Sequence, residues 1–171
     1  VLSIEAAGNH ILLFGSSNSN KSLKKTENSK GLQDYWLLKL DTAGHVVWNK
    51  TYGGNYEDDA VKAIDGGFGT YLISGTSLSG ISGDKTFANH GSSDYWILRV
   101  FEAAGIVFLN QVYGGNKKDE LADIITTSDN GVLLSGTSYS DSSGDKTTSC
   151  LGINDFWIVK TDFYLAKQWE K

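Results

Sequence analysis

The chain has 171 residues, 40% of them hydrophobic and 12% aromatic, which is enough to form the core of one ordinary domain. Its formal net charge of −5 gives no electrostatic reason to expect nucleic acid or an anionic membrane surface as a partner. One cysteine excludes an intramolecular disulfide, and the apolar runs are far shorter than the about 20 residues of a membrane-spanning helix.

The first unit of the chain predicts four short β-strands, which we name A to D. Strand A is Val1–Glu5, B is Ile11–Ser16, C is Asp34–Asp41 and D is Val46–Tyr52. β-Branched and aromatic residues dominate, and the side chains of strand C alternate with the period of two that a strand requires. Asp41–Gly44 predicts the turn of a C–D hairpin, since its glycine can adopt a positive φ.

The same four strands are predicted twice more. Loops of about 16 to 18 residues, rich in Ser, Gly, Asn and Asp, separate B from C. The third C–D turn has Leu165 in place of the glycine, so we expect that turn to differ. The predicted strands are Ala60–Asp65, Tyr71–Thr76, Asp94–Val100 and Ile106–Tyr113 in the second unit, and Leu121–Thr126, Val132–Thr137, Asp155–Asp162 and Lys167–Lys171 in the third.

Short motifs recur along the whole chain at a spacing of about 60 residues. An Asp followed by an aromatic pair begins at Asp34, Asp94 and Asp155, and a Tyr-Gly-Gly begins at Tyr52 and Tyr113. Gly-Thr-Ser followed by Ser-Gly-Asp-Lys-Thr occurs in the second and third units and is degraded in the first. The predicted units are residues 1–56, 57–117 and 118–171.

Four antiparallel strands repeated at this period are typical of β-propeller blades. Closed propellers have about four to eight blades, so three blades leave two flanks with exposed apolar faces. The sequence also contains no methionine. We therefore expect the chain to be part of a longer polypeptide, or to pair with a second copy that completes the propeller. A β-trefoil also has three four-stranded repeats and is the structural alternative, although the Tyr-Gly-Gly and Asp-Gly-Gly spacing favours the propeller.

The sequence resembles a known group of repeats. The run of Gly-Asp-Lys-Thr, Asn89-His90-Gly91, Asp94-Tyr95-Trp96 and Tyr-Gly-Gly-Asn is similar to the repetitive β-propeller segments of large secreted proteins of Bacteroidetes such as flavobacteria. The resemblance covers all three units. It implies a propeller fold and an extracellular or cell-surface location, often reached through a C-terminal sorting domain of the type IX secretion system, which these residues do not contain. The family shares no one activity, so no catalytic residue is implied.

The B–C loops and the D–A links are expected on one face, because strands B and D run parallel to each other. Long loops on a rigid scaffold are where binding sites form. Carboxylates of the D–A links at positions 57–59 and 119–120 are expected nearby. The candidate ligand-binding residues on this loop face are Asp84, Asn89, His90, Asp94, Asp145, Asn154 and Asp155, together with Tyr52 and Tyr113.

Each of these motifs also has a structural interpretation. The Asp before each aromatic pair is expected to accept bonds from backbone N–H groups, and the following Trp to pack between blades. The Ser-Gly-Asp-Lys-Thr loops could offer oxygen ligands to calcium, but a tight turn is favoured. The three histidines do not recur at the repeat spacing, which argues against a metal ring. Cys150 is expected to be a free thiol without a neighbouring base.

Two classes of function remain from the sequence. The first is a non-catalytic binding or scaffolding module of a secreted or surface protein, whose ligand is a glycan, matrix or partner protein. No Gly-x-Ser-x-Gly elbow and no assignable Ser-His-Asp set support an enzyme, and no cofactor is expected. The alternative is an accessory or catalytic part of an extracellular hydrolase acting on polysaccharide, with a carboxylate pair at the propeller axis.

Overall fold

A computed structural model describes residues 3–171, and this part of the chain is all-β. It forms three four-stranded antiparallel sheets, which we call blades 1, 2 and 3. Within residues 3–171 no helix is long and apolar enough to cross a membrane. The strands are β1 (Ser3–Ala7), β2 (His10–Ser17), β3 (Asp34–Asp41) and β4 (Val46–Tyr52) in blade 1; β5 (Asp58–Gly67), β6 (Thr70–Ser77), β7 (Asp94–Phe101) and β8 (Val107–Tyr113) in blade 2; β9 (Asp119–Thr126), β10 (Val132–Ser138), β11 (Asp155–Thr161) and β12 (Lys167–Glu170) in blade 3.

Each blade is a simple meander in which consecutive strands are neighbours. All twelve predicted strands are present, although Val1 and Leu2 of the first one lie outside the described residues. The three sheets are separate, so the trefoil alternative, in which hairpins close one barrel, is wrong for this part of the chain. β5 begins two residues earlier than predicted, because Asp58 and Asp59 already pair with the end of β6; the Asp58 N–H also donates to the Gln33 carbonyl of blade 1, 2.6 Å away.

The C–D turn of blade 3 corrects one expectation. Leu165 adopts φ +63°, the left-handed conformation that Gly44 adopts in blade 1 with φ +84°. The Leu165 N–H donates to the Asp162 carbonyl, as Gly44 donates to Asp41. The turn therefore keeps its form with leucine in place of glycine. Leu165 is buried between blades 2 and 3, and we infer that this packing offsets the cost of its backbone conformation.

The core consists of two hydrophobic clusters, one between blades 1 and 2 and one between blades 2 and 3. Trp96 of blade 2 lies against Tyr35 of blade 1, with ring centroids 4.8 Å apart, and Trp157 of blade 3 repeats this contact with Tyr95 at 5.1 Å. Both tryptophans are fully buried, which confirms their expected packing between blades. Trp36 of blade 1 occupies the equivalent position on the outer side of the sheet and is half-buried.

Neighbouring blades approach each other most closely along their A strands. β5 contacts β1 and β2, and β9 contacts β5 and β6, with small side chains such as Ala60 and Ala63 in the first interface. Larger rings fill the space towards the outer strands, where the ring centroids of Trp48 of β4 and Tyr71 of β6 lie 6.4 Å apart. Small residues inside and large ones outside give each interface the taper of a wedge.

Candidate functional surface on the loop face

The three B–C loops, residues 18–33, 78–93 and 139–154, lie on the same face as the D–A links. Parallel bridges join Gln33 to Glu57 and Ser93 to Lys118, so the end of each B–C loop runs beside the link that enters the next blade. The predicted loop face is therefore present.

The Ser-Gly-Asp-Lys-Thr segments form tight turns, as predicted. Ser82 pairs with Lys85, and Gly83 has φ +56°. The Asp84 N–H donates to the Gly53 carbonyl of blade 1 at 2.9 Å, and the Gly53 N–H donates to Asp84 Oδ2 at 3.0 Å. A Cβ at Gly83 would overlap the Gly53 oxygen, so this close approach requires glycine. The turn thus clamps the Tyr-Gly-Gly of the preceding blade.

Two predicted site residues, His90 and Asp145, meet across the junction of blades 2 and 3. His90 Nε2 lies 3.2 Å from Asp145 Oδ2, which also accepts a bond from the Gly114 N–H at 3.3 Å. The equivalent pair at the junction of blades 1 and 2 is Lys30 with Asp84. In both pairs the basic side chain lies four residues before the Asp-aromatic motif. The two pairs therefore share one sequence pattern, although only one of them contains a histidine.

The carboxylates before the aromatic pairs have the expected structural role. Asp94 is fully buried, and its Oδ2 accepts a bond from the His90 N–H at 2.6 Å. Asp155 accepts the Leu151 N–H at 2.6 Å in the same way. Each carboxylate therefore fixes the end of its own B–C loop where the loop enters the third strand.

Of three other predicted site residues, two are buried and one is exposed. Tyr52 and Tyr113 are buried between blades; the Tyr52 hydroxyl donates to the Gly105 carbonyl at 2.6 Å, and the Tyr113 hydroxyl to Leu165. Burial raises the pKa of both phenols. Neither ring is presented on the loop face, whereas Asn154 is exposed there.

A buried lysine stands at the centre of each B–C loop. Lys85 Nζ donates to Asn89 Oδ1 at 2.6 Å and to the Ser79 carbonyl at 2.8 Å, and the Asn89 amide donates to the Ser77 carbonyl at 2.7 Å. Burial lowers the pKa of Lys85 to about 8. Asn89 is therefore part of the support of its loop.

Cys150 occupies the place of Asn89 in blade 3; it is a free thiol as predicted, but the expectation that no base lies beside it was wrong. Its Sγ lies 3.1 Å from Lys146 Nζ and 3.1 Å from the Ser138 carbonyl oxygen. The thiol thus has a basic neighbour. Ser29 takes the same place in blade 1, where it accepts a bond from Lys25 at 3.1 Å.

Buried carboxylates lie beneath the loop face. Burial raises the pKa of Asp58 to about 6, against opposing hydrogen bonds from Ser77, Gly54 and Ser79. Burial also raises the pKa of Asp94 to about 6. Among residues 3–171, no three or more side chains of His, Cys, Asp or Glu are grouped so that they could hold a metal ion.

A groove of about 460 Å³ opens between the A strands of blades 2 and 3 at this face. We call it the axial groove. Asp59 and Glu120 belong to the D–A links that the sequence placed near the loop face, and Glu120 forms an ion pair with Lys118 at 2.8 Å. The lining residues are Asp59, Val61, Thr76, Leu78, Ser92, Ser93, Lys118, Glu120 and Leu121.

Ser93 is the buried residue of the groove lining that carries a hydroxyl without a partner among the described residues. Its Oγ atom is buried and has no hydrogen-bond partner within residues 3–171. Asp34, Asp94 and Asp119 beneath the same face each have one buried oxygen without a partner in this part of the chain as well, so this feature does not set the groove apart.

No protein family matches the chain, and no curated protein matches it significantly.

Proposed function

We propose that this chain is a non-catalytic binding and scaffolding module, formed by three consecutive blades of a β-propeller, which binds its ligand in the axial groove. The observation that carries this proposal is the groove itself, which polar and apolar side chains line together and whose volume is typical of small-ligand sites. Most of the candidates first predicted on the loop face instead hold the loops and blades together.

The lining of the groove suits a hydroxyl-rich ligand. Ser92 offers an exposed hydroxyl group, and Lys118 with Glu120 offers both a donor and an acceptor at one edge. Val61 and Leu121 add apolar surface for the carbon faces of a ring. A glycan is therefore the ligand class that we favour.

The setting we propose is the outside of a bacterial cell. The resemblance to exported propeller repeats supports this location, and so do loops rich in Ser, Thr, Asn and Gly. A secreted or cell-surface protein would use such blades to present a groove on a rigid frame.

The alternative, a hydrolase acting on polysaccharide, draws support from the two carboxylates of the groove. Asp59 and Glu120 both line it, and a glycosidase needs two carboxyl groups flanking the scissile bond. Glu120 is bound to Lys118, and Asp59 accepts a hydrogen bond from the Gln33 amide. These bonds suit fixed acceptors better than a general acid.

The test is an array of bacterial, algal and plant polysaccharides, probed with the chain and assayed for released reducing ends. The variants are Ser92→Ala and Glu120→Gln, and the matched control is Asp141→Asn, a carboxylate paired with Lys117 outside the groove. We expect binding without hydrolysis, weakened about ten-fold by either groove variant and unchanged by the control. Release of sugar that Glu120→Gln abolishes would establish the hydrolase instead, and equal binding by all variants would exclude the axial groove.

A further inference from the structure

Every junction between blades uses two different sides of a sheet. We call the side that faces the preceding blade the leading side and the side that faces the following blade the trailing side. In the two junctions of this chain, the leading side contributes a Trp of the third strand and the Ser-Gly-Asp turn. The trailing side contributes a Tyr of the third strand and the Tyr-Gly-Gly after the fourth.

The two junctions repeat the same contacts. Besides the Tyr–Trp ring contacts, the Tyr35 hydroxyl donates to the Trp96 carbonyl at 3.2 Å, and Tyr95 donates to Trp157 at 3.3 Å. The Asp145 N–H donates to the Gly114 carbonyl at 2.8 Å, as Asp84 does to Gly53. In both junctions, therefore, the leading side of the following blade covers the trailing side of the preceding one.

The trailing side of blade 3 has no such cover among residues 3–171. Phe156 takes the place of the fully buried Tyr35 and Tyr95, and it is 74% exposed. Ile125 is 48% exposed, whereas its equivalent Ile64 is buried between blades 2 and 3. Trp169, 46% exposed, takes the place of Trp48 and Leu109, both packed against the interior clusters.

The leading side of blade 1 differs from those of blades 2 and 3. It keeps the Trp, as Trp36, but Leu23 and Lys24 replace the Gly and Asp of the turn. Leu23 is fully exposed and does not adopt the positive φ of Gly83. A side chain at this position would overlap the carbonyl of an incoming Tyr-Gly-Gly, and Lys24 cannot accept a bond from its N–H groups.

We propose that the trailing side of blade 3 binds a further blade of the same repeat, one that carries the Trp and the Ser-Gly-Asp turn. The leading side of blade 1 does not accept a Tyr-Gly-Gly segment, so blades of this type join at one flank only. Of the two partners that the sequence left open, this favours another part of the polypeptide over a second copy joined head to tail. The inference rests on the blades and not on the axial groove, so the two proposals fail independently.

The physical argument for a further blade is that it would repeat the contacts of the two existing junctions on the trailing side of blade 3. Phe156 stands at a position that is buried in both other blades, and the positions of Ile125 and Trp169 are buried or partly buried in blade 2. An apolar surface of this kind is stabilised when the same partner covers it. At the junction of blades 1 and 2 the Gly-Asp turn adds one backbone bond, from the Asp84 N–H to the Gly53 carbonyl, and one bond from the Gly53 N–H to the Asp84 carboxylate. A further blade would form both bonds with a Tyr-Gly-Gly placed after β12.

The experiment extends the chain by a copy of residues 51–111 placed after Lys171. The register continues, because Lys171 pairs with Ile158 as Lys50 pairs with Leu37. The matched control carries Gly83→Leu and Asp84→Lys in the added copy only, which are the residues found in blade 1. Blade 1 folds with these residues, so the control changes docking rather than folding. Amide hydrogen exchange is read in peptides of residues 112–171, which occur once in each protein.

We expect exchange in β9 to β12 to slow about ten-fold on extension, and to stay within about two-fold of the original chain in the control. No slowing in either protein would overturn the proposed occupant of blade 3. Equal slowing in both would overturn the requirement for the Gly-Asp turn, and with it the difference between the two flanks.

Discussion

At the scale of single residues, glycine marks the positions where one backbone passes close to another. Gly75 of β6 faces the first strand of its own blade and the preceding blade at once. A Cβ there would overlap the Asp59 carbonyl oxygen and lie 2.7 Å from the Tyr35 hydroxyl. Gly136 of blade 3 meets Glu120 and Tyr95 in the same way. Backbone atoms cannot move aside as a flexible side chain can, so both positions need glycine for reasons of space.

Replacing Gly75 should therefore be costly. We expect Gly75→Ala to lower the free energy of unfolding by about 2–3 kcal/mol. Gly80→Ala is the control, since a Cβ there meets nothing within 4 Å, and it should change stability by less than about 0.5 kcal/mol. Urea denaturation followed by circular dichroism measures both. Equal free energies of unfolding for the two variants would contradict the close approach of Gly75 to the Asp59 carbonyl.

Asp58 makes stability depend on pH. Its folded-state pKa of about 6 lies above the value near 3.9 of an unfolded aspartate, so the folded protein holds the proton more tightly. The contribution of this group is fully present below about pH 4 and is lost as the pH rises through 6. Asp58→Asn cannot titrate. The stability of the protein relative to this variant should fall by about 2–3 kcal/mol between pH 4 and 7.

Denaturation of both proteins across this pH range provides the measurement. The difference between them isolates Asp58, because Asp94 and the other carboxylates titrate in both. A difference that stays constant with pH, or that grows in favour of the native Asp58 at higher pH, would show that the carboxyl is not buried as described.

At the scale of elements, the third strand of each following blade places a large aromatic ring against the preceding sheet. Trp96 and Trp36 occupy the same repeat position, and each donates from Nε1 to an Asn of its own fourth strand, Asn110 at 2.8 Å and Asn49 at 3.2 Å. Only Trp96 has a blade in front of it. Comparing Trp96 with Trp36 therefore distinguishes the stability that comes from packing between blades from the stability that comes from packing within one blade.

The predicted outcome is a large difference between two identical substitutions. Trp96→Ala should lower the free energy of unfolding by about 3–5 kcal/mol, whereas Trp36→Ala should cost about 1 kcal/mol because its ring is already half in water. Chemical denaturation of the two variants measures this. Similar losses would mean that the ring of Trp96 is stabilised by its own sheet alone.

The strands could be predicted from the sequence, because alternation of side chains and turn residues act locally and the repeat shows each pattern three times. The Leu165 turn could not, because its left-handed leucine is held by packing against the neighbouring blade. The pairing of His90 with Asp145 joins residues 55 positions apart in different blades. Such contacts depend on how sheets are placed beside each other, which no local pattern contains.

At the scale of the whole molecule, the A strands lie close together and the D strands diverge. The Trp, Tyr and Ala side chains of the first interface are graded in size from the inner to the outer strands, which sets this wedge shape. The axial groove lies at the inner edge of one junction, where two A strands meet the loop face. The position of the groove thus depends directly on the radial arrangement of the blades.

Two distances measured in solution test this radial arrangement most directly. Nitroxide pairs on a Cys150→Ser background would be placed at Ile4 and Ala122, on the inner strands of blades 1 and 3, and at Val47 and Gln168, on their outer strands; all four side chains are exposed. Pulsed electron resonance should give a clearly longer distance for the outer pair than for the inner pair. Equal distances, or a shorter outer one, would contradict three blades arranged around a common axis.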